Sequence, residues 1–328
     1  MQWTVSMLLR KVGARAAPRC CRRALSVSPR TDGEYTALLH AQLAARFDES
    51  LPQFRPLWDA IATAVTDNHL APSSILDLAS GAGEPACTLA RRFPMAHVVS
   101  SDHSADERER AAQHAQSLGL ADRVSIEPID LAELHVFAQL EADGREALPQ
   151  CDVITCSLGL FMLPPEQHEP CMRGIRAILS PGGLFVASVW DHMPLIEMGS
   201  RCVSAASGRA DSHSSYDPTS LGGGRADAVL ERVGLETTGC SHHNAVHDLP
   251  LRLGKHGSDA AWMLGLMPHV AALAELSQLP AEQLPTGVFG RARAAFEEEV
   301  VREAYVEAHS GDVVVPLRWR MLCARRPA

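Results

Sequence analysis

From residue 74 to residue 190, short apolar runs rich in β-branched residues alternate with segments of helical periodicity, and few architectures accommodate that order. Strands are read at 74–79, 97–101, 123–128, 152–157 and 183–190, and helices at 85–93, 105–118 and 165–179. Strands joined by crossover helices pair in parallel and are covered on both faces, so the pattern predicts an α/β fold with a doubly wound sheet. Two helices precede it, over 34–47 and 54–66. In the second, Leu57, Ile61 and Val65 recur every four residues on one face. Beyond Trp190 the alternation breaks: 198–224 is rich in Gly and Ser, includes Gly222-Gly223-Gly224 and reads as a mobile loop. A helix over 226–233, a strand near 235–241, helical segments over 257–277 and 287–308 and a long strand over 312–324 complete the expectation.

With 328 residues, 46% of them hydrophobic, the chain can bury the core this requires. No uninterrupted apolar run reaches about eighteen residues, so no transmembrane helix is expected. The formal charge of −9 conceals an asymmetry, since residues 1–31 hold seven Arg or Lys and no acid, leaving a body of about −16. An acidic body argues against a nucleic-acid partner held by phosphate neutralisation. The basic segment opens with Trp3, Val5, Leu8 and Leu9 ahead of Arg10 and Lys11, and Arg23-Ala24-Leu25-Ser26 matches an Arg-x-Leu-Ser cleavage pattern. Residues 1–30 are therefore expected to be a transit peptide directing the domain at 31–328 to the mitochondrial matrix, with a plain basic tail or a chloroplast address as alternatives. Nine cysteines without a Cys-x-x-Cys pair suit free thiols in a reducing compartment better than a disulfide framework or a zinc site.

The chemistry concentrates in Ile75-Leu76-Asp77-Leu78-Ala79-Ser80-Gly81-Ala82-Gly83-Glu84-Pro85, an apolar strand that ends in small residues and turns into a helix with Pro85 as its first residue. Such a turn lets backbone amides approach a ligand at the carboxyl edge of the sheet. Asp102 ends the next strand, 21 residues after Gly81, where a carboxylate can accept both hydrogen bonds of a ribose diol. Asp130 follows the third strand at the same edge and can receive the exocyclic amine of adenine. Either aspartate alone is also a common cap or turn residue; together their spacing points to an adenosine ligand. A dinucleotide would need the helix start to face a pyrophosphate, but Asp77 and Glu84 place negative charge there. Those charges suit a ligand with an ammonium and a sulfonium, S-adenosylmethionine.

The sequence here resembles the class I methyltransferases, from about Ile75 to Trp190. Asp77-Leu78-Ala79-Ser80-Gly81-Ala82-Gly83 is similar to their first motif, with Ala79 in place of the first glycine. Val99-Ser100-Ser101-Asp102 is similar to the ribose-binding motif, Pro128-Ile129-Asp130-Leu131 to the adenine-contacting segment, and Leu179-Ser180-Pro181-Gly182-Gly183-Leu184-Phe185 to the turn before the fifth strand. The resemblance implies a Rossmann-like sheet of seven strands in the order 3-2-1-4-5-7-6, with strand 7 antiparallel. It implies N-terminal helices at 34–70, a cofactor-binding core at 74–190, substrate-cover insertions and strand 6 at 191–310, and a last strand at 312–325. The cofactor contacts it implies fall on Asp77, Ala79, Ser80, Gly81, Gly83, Asp102, His103, Asp130, Leu131 and Ser157.

Ala79 in that motif and the run from Asp152 to Leu160 are similar to the ubiquinone and menaquinone biosynthesis methyltransferases, which implies a small-molecule methyl acceptor. Methyl transfer needs mainly alignment and desolvation, so a general base is optional. His192, in Trp190-Asp191-His192 at the end of the fifth strand, is the candidate base, because imidazole is the side chain that titrates near neutrality. With 15 histidines in the chain, a solvated or capping role is the competing reading. His242, His243 and His247 lack a metal-ligand spacing, and no metal is expected. Trp262, Met263, Leu266 and Met267 form an apolar stripe that reads as core or as a pocket wall. Two other functions stay open: a non-catalytic cofactor-binding subunit with a protein partner, and a nicotinamide-dependent oxidoreductase, for which Gly81-Ala82-Gly83-Glu84-Pro85-Ala86 is a formal match.

Overall fold

The computed structural model describes residues 51–68, 71–144, 150–207, 217–252, 294–296, 298–299, 303 and 305–328. The basic segment at 1–30, the helix expected at 34–47, the stripe from Trp262 to Met267 and most of the helical segments at 257–277 and 287–308 lie outside the described residues.

The elements in chain order are α1 (Arg55–Asp67), β1 (Ser74–Leu78), α2 (Ala86–Arg92), β2 (His97–Ser101), α3 (Ala105–Ser117), β3 (Val124–Glu127), α4 (His135–Ala142), β4 (Cys151–Ser157), α5 (Pro165–Ile178), β5 (Leu179–His192), α6 (Pro194–Ser207), α7 (Arg225–Arg232), β6 (Val246–Arg252) and β7 (Val314–Arg325). The seven strands form one sheet in the order β3-β2-β1-β4-β5-β7-β6. The first five pair in parallel, and β7 runs antiparallel to both β5 and β6. The expected fold class and strand order are therefore those observed.

Strand alternation sorts the core into two layers. On one face Val98, Ile75, Val153, Val186 and Met321 meet Leu57, Ile61 and Val65 of α1 and Leu89 of α2. On the other, Leu76, Ile154, Phe185 and Leu322 meet Phe137 of α4, Ile175 of α5 and Leu230 of α7. Leu57 and Ile61 are fully buried, and removal of such a side chain from water contributes about 1.5–3 kcal/mol. Helix α3 begins at a serine N-cap: the Ser104 hydroxyl accepts from the Glu107 amide at 3.3 Å, with Asp106 and Glu107 in the first turn.

Three expectations are corrected. The segment at 198–224 is not a loop throughout: Leu195, Met198 and Cys202 are buried at helical spacing, and α6 runs through them to Ser207. The sixth strand lies at Val246–Arg252 rather than near 235–241, where only Glu236 bridges to Arg325. A helix not expected from the sequence, α4, together with a 3-10 turn at Leu131–Glu133, fills the connection between β3 and β4.

Candidate active site

Strand β1 lies between β2 and β4, so the chain leaves its carboxyl end towards one side and later returns on the other. That switch point opens a crevice at the carboxyl edge, the usual ligand position in such sheets. The turn after β1 lies there. Ala79, Gly81 and Gly83 all take left-handed backbone angles, with φ of 51°, 53° and 100°. Alternation of these residues folds the chain back on itself, at a cost of roughly 1–2 kcal/mol for the alanine, which carries a Cβ. The turn is then tied down: the Ser80 amide donates to Ser101 O at 2.8 Å, and the Gly83 and Glu84 amides donate to Ser80 O. Helix α2 starts at Ala86, one residue after the Pro85 expected to open it.

Asp77 is wholly buried beneath this turn. Thr155 of β4 donates to one carboxylate oxygen at 2.6 Å, and the Ala86 amide at the head of α2 donates to the other at 3.1 Å. Burial pushes its pKa up to about 7, against the opposing effect of Thr155 and Ser80, while the nearby Glu84 raises it further. Glu84 is also engaged within the protein: one oxygen accepts from the Thr88 amide at 3.0 Å and the other meets His114 Nε2 at 3.1 Å. Both carboxylates thus brace the turn and the start of α2, a structural role the sequence reading did not give them.

Asp102, at the end of β2, is the carboxylate at the edge of the crevice. Its two oxygens accept from the Gly81 amide at 3.1 Å and the Ser104 amide at 2.9 Å, and His103 Nδ1 stands 3.4 Å away. Burial alone would push its pKa up, but these donors outweigh it and hold the carboxyl below its ordinary value. A carboxylate has about four acceptor positions, so an ionised Asp102 that takes two amide bonds keeps capacity for a diol. His103 is largely exposed, and its bond to Asp102 raises its pKa despite partial burial. Asp130 caps the short turn that follows it, one oxygen accepting from the Ala132 amide at 2.9 Å, while Leu131 is buried.

Across the crevice, β4 ends at the half-buried Ser157. Leu158 then adopts φ of 50°, held by bonds from its amide to both the backbone oxygen and the hydroxyl of Ser188 on β5. Gly159 follows, against Ala79. His192 ends β5 at the same edge. Its neighbour Asp191 accepts from the Gly223 amide and from Arg320 Nε, both at 2.8 Å, which fastens the glycine-rich loop to the sheet. Sequence reasoning missed Thr155, Ser188, Gly159 and Arg320, because each acts through a partner more than twenty residues away. His242 pairs with Asp67, His243 lies between Asp227 and the Cys323 amide, and His247 stacks on Trp319 with ring centroids 4.2 Å apart. Among the described residues no group of three or more His, Cys, Asp or Glu converges on a metal position, and no helix is long and apolar enough to cross a membrane.

The site distinguishes between two adenosine ligands. A pyrophosphate needs amides at the helix start, yet those of Gly81, Gly83, Glu84, Ala86, Cys87 and Thr88 all donate to protein oxygens. S-adenosylmethionine needs a diol acceptor and a polar, close-approach turn. Asp102, an ionised carboxylate at the edge of the crevice, has the acceptor capacity for the first. The turn from Ala79 to Gly83, with the Ser80 hydroxyl buried beside Asp77, has the close-approach geometry of the second.

Residues 75–183 match the family model described as a methyltransferase domain. Among solved structures, the chain is similar to an S-adenosylmethionine-dependent methyltransferase from Geobacter sulfurreducens in complex with S-adenosylhomocysteine, at 18% identity over 81% of this chain and 89% of that one, with a TM-score of 0.42. It is similar to the YcgJ protein of Bacillus subtilis at 14% identity over 82% and 99% of the two chains, with a TM-score of 0.47. It is also similar to the cyclase SpnF at 19% identity over 83% and 80%, with a TM-score of 0.47. Comparison with curated proteins gives no match. Residues 75–183 thus match a methyltransferase domain, set in a sheet whose order and antiparallel seventh strand are those of the class I S-adenosylmethionine-dependent methyltransferase fold.

Proposed function

We propose that this methyltransferase acts on a small-molecule acceptor in the mitochondrial matrix, with its cofactor held by the residues around Asp102. The observation that carries the cofactor assignment is the pair of bonds that Asp102 accepts from the Gly81 and Ser104 amides, which keep an ionised carboxylate at the crevice and fix the turn to it. In this reading Asp102 and His103 hold the ribose, Asp130 and Leu131 the adenine, and Ala79, Ser80, Gly81 and Gly83 the amino-acid part, with Ser157 beside it. Asp77 acts from beneath, as the brace of the turn.

S-adenosylmethionine supplies a methyl group on a sulfonium that is already a good leaving group. The protein's task is then to exclude water and align the acceptor. His192, at the same edge of the sheet, is proposed to take the acceptor's proton. The compartment rests on the acid-free, arginine-rich residues 1–30. Fusion of those residues to a fluorescent protein should send it to mitochondria, and a cytosolic signal would contradict the address.

Catalysis is tested by incubating the full chain with S-adenosylmethionine and panels of quinone precursors, carboxylates and thiols, and measuring S-adenosylhomocysteine release. Release that depends on one acceptor is expected. Cofactor binding without turnover on any panel member, together with a co-purifying protein, would favour the non-catalytic subunit instead.

A further inference from the structure

Strand β5 ends in a bulge: Trp190 pairs with Trp319 and His192 with Arg318, so Asp191 is an extra residue without a counterpart on β7. Bulges re-aim side chains at sheet ends, and this one sets His192 directly across from Arg318, on the same face and with Cα atoms about 4.5–5.5 Å apart. The neighbouring charges are engaged within the protein. Asp191 accepts from the Gly223 amide and Arg320 Nε, and Arg320 also donates to Asn244 O. Arg318 differs: it is exposed, and among the described residues no hydrogen bond or ion pair engages it, not even with Asp248 directly across on β6. Its charge is felt on the β5 side. Burial alone would raise the Asp191 carboxyl; the Gly223 amide and Arg320 hold it down, and Arg318 adds to them. The surroundings leave this guanidinium open. On one side the glycine-rich loop lies so tightly on the end of β5 that a Cβ on Gly222 would stand 2.5 Å from Trp190 O. On the other, β7 continues past β5, since Val314–Leu317 pair with β6 alone. Arg318 thus stands at the rim of the carboxyl edge, beside the candidate base. Three strand spacings of about 4.8 Å separate β7 from β1, which places it roughly 14 Å from the cofactor turn.

We propose that Arg318 is a specificity residue that binds an oxyanion, a carboxylate or a phosphate, at the end of the methyl acceptor remote from the transferred methyl. This rests on the methyltransferase reading above. A guanidinium presents paired N–H donors that match two oxygens of either group, and it keeps its charge at any pH the protein meets. It has no acceptor, so it rejects an ammonium at that position. The separation assigns the end of the molecule: Arg318 is too far from the cofactor turn to touch the transferred methyl, and an acceptor anchored there lies across the end of β5, past His192, towards the cofactor.

The test is protection of Arg318 from phenylglyoxal, a reagent for accessible guanidinium groups, in the full chain with S-adenosylhomocysteine present, the adduct on each arginine being quantified by peptide mass spectrometry. The probes are succinate and inorganic phosphate, with succinamide and choline as controls. Arg91, exposed near the end of α2, is the reference arginine. At least one anion at millimolar concentration should slow modification of Arg318 about threefold or more and leave Arg91 unchanged, with neither control protecting. The same anion should raise the thermal midpoint of wild type more than that of Arg318→Gln, whose exposed position lets it fold and whose affinity for S-adenosylhomocysteine stays within about twofold of wild type. No protection by either anion, equal protection of Arg91, equal protection by succinamide or an equal midpoint rise in Arg318→Gln would overturn the proposal. Stabilisation of the wild type by S-adenosylhomocysteine in the same samples keeps the methyltransferase reading standing whether or not the anions protect.

Discussion

Gly159 at the end of β4 approaches Ala79 at the end of β1 so closely that a Cβ on Gly159 would stand 2.7 Å from the Cβ of Ala79 and 2.8 Å from Cys156 Sγ. The φ of Gly159 is −98°, which any residue adopts, so space alone demands glycine there. The two loops that flank the switch point are therefore packed as one unit, and the residue that departs from the methyltransferase motif, Ala79, occupies the contact.

Gly159→Ala should cost about 1–3 kcal/mol in urea unfolding, as overpacking of a tight site does. Adding Ala79→Gly should recover part of that loss, because it removes the nearer of the two clashing atoms. Strict additivity of the two substitutions in a double-mutant cycle would show that the loops do not meet.

Asp77 makes stability depend on pH in an unusual direction. Its pKa is about 7 in the fold against an ordinary value of 3.8, so the folded chain binds a proton that the unfolded chain has released between those values. Its contribution to stability is present in full below about pH 4 and is lost as pH rises towards 7. Asp102, Asp152 and Asp191, whose values are lowered, act in the opposite sense and only at more acid pH. The fall in thermal midpoint from pH 4.5 to pH 7 should be shallower in Asp77→Asn than in wild type. Parallel curves for the two proteins would contradict the shift.

Asp191 holds Gly223 and Arg320 at once, and those donors keep its carboxyl below the ordinary range despite partial burial. Asp191→Ala should destabilise the chain by about 0.5–1.5 kcal/mol by removing the bonds to Gly223 and Arg320. Limited proteolysis should then cut near Gly222–Gly224, while affinity for S-adenosylhomocysteine is retained. A resistant loop would show that other contacts hold it.

His192→Gln should lower kcat by about a hundredfold or more with unchanged S-adenosylhomocysteine affinity, the usual scale for loss of a general base. An unchanged rate and pH profile would remove His192 from the chemistry and leave alignment as the protein's whole contribution.

The strands of the core were legible because each is a short apolar run bounded by turn residues, and Asp102 was legible from its distance to Gly81. What escaped depends on partners remote in sequence. β6 contains Pro250, which argues against a strand; it forms one because Pro250 stands opposite Pro316 where β7 extends beyond its pairing with β5. α4 was overlooked because its buried face rests on few residues, of which Phe137 is one. Asp77 and Glu84 read as charges for a ligand because Thr155 and His114, which engage them, are 78 and 30 residues away.

The most direct measurement is the thermal midpoint of the full chain and of Asp102→Asn with S-adenosylhomocysteine and with NAD, since a ligand bound only to the native state stabilises it by about 2.7 kcal/mol at a hundredfold excess over Kd. The expected result is a rise with S-adenosylhomocysteine in wild type, none with NAD, and at least a tenfold loss of apparent affinity in Asp102→Asn. Stabilisation by NAD alone, or an Asp102→Asn response to S-adenosylhomocysteine equal to that of wild type, would contradict the site described around Asp102.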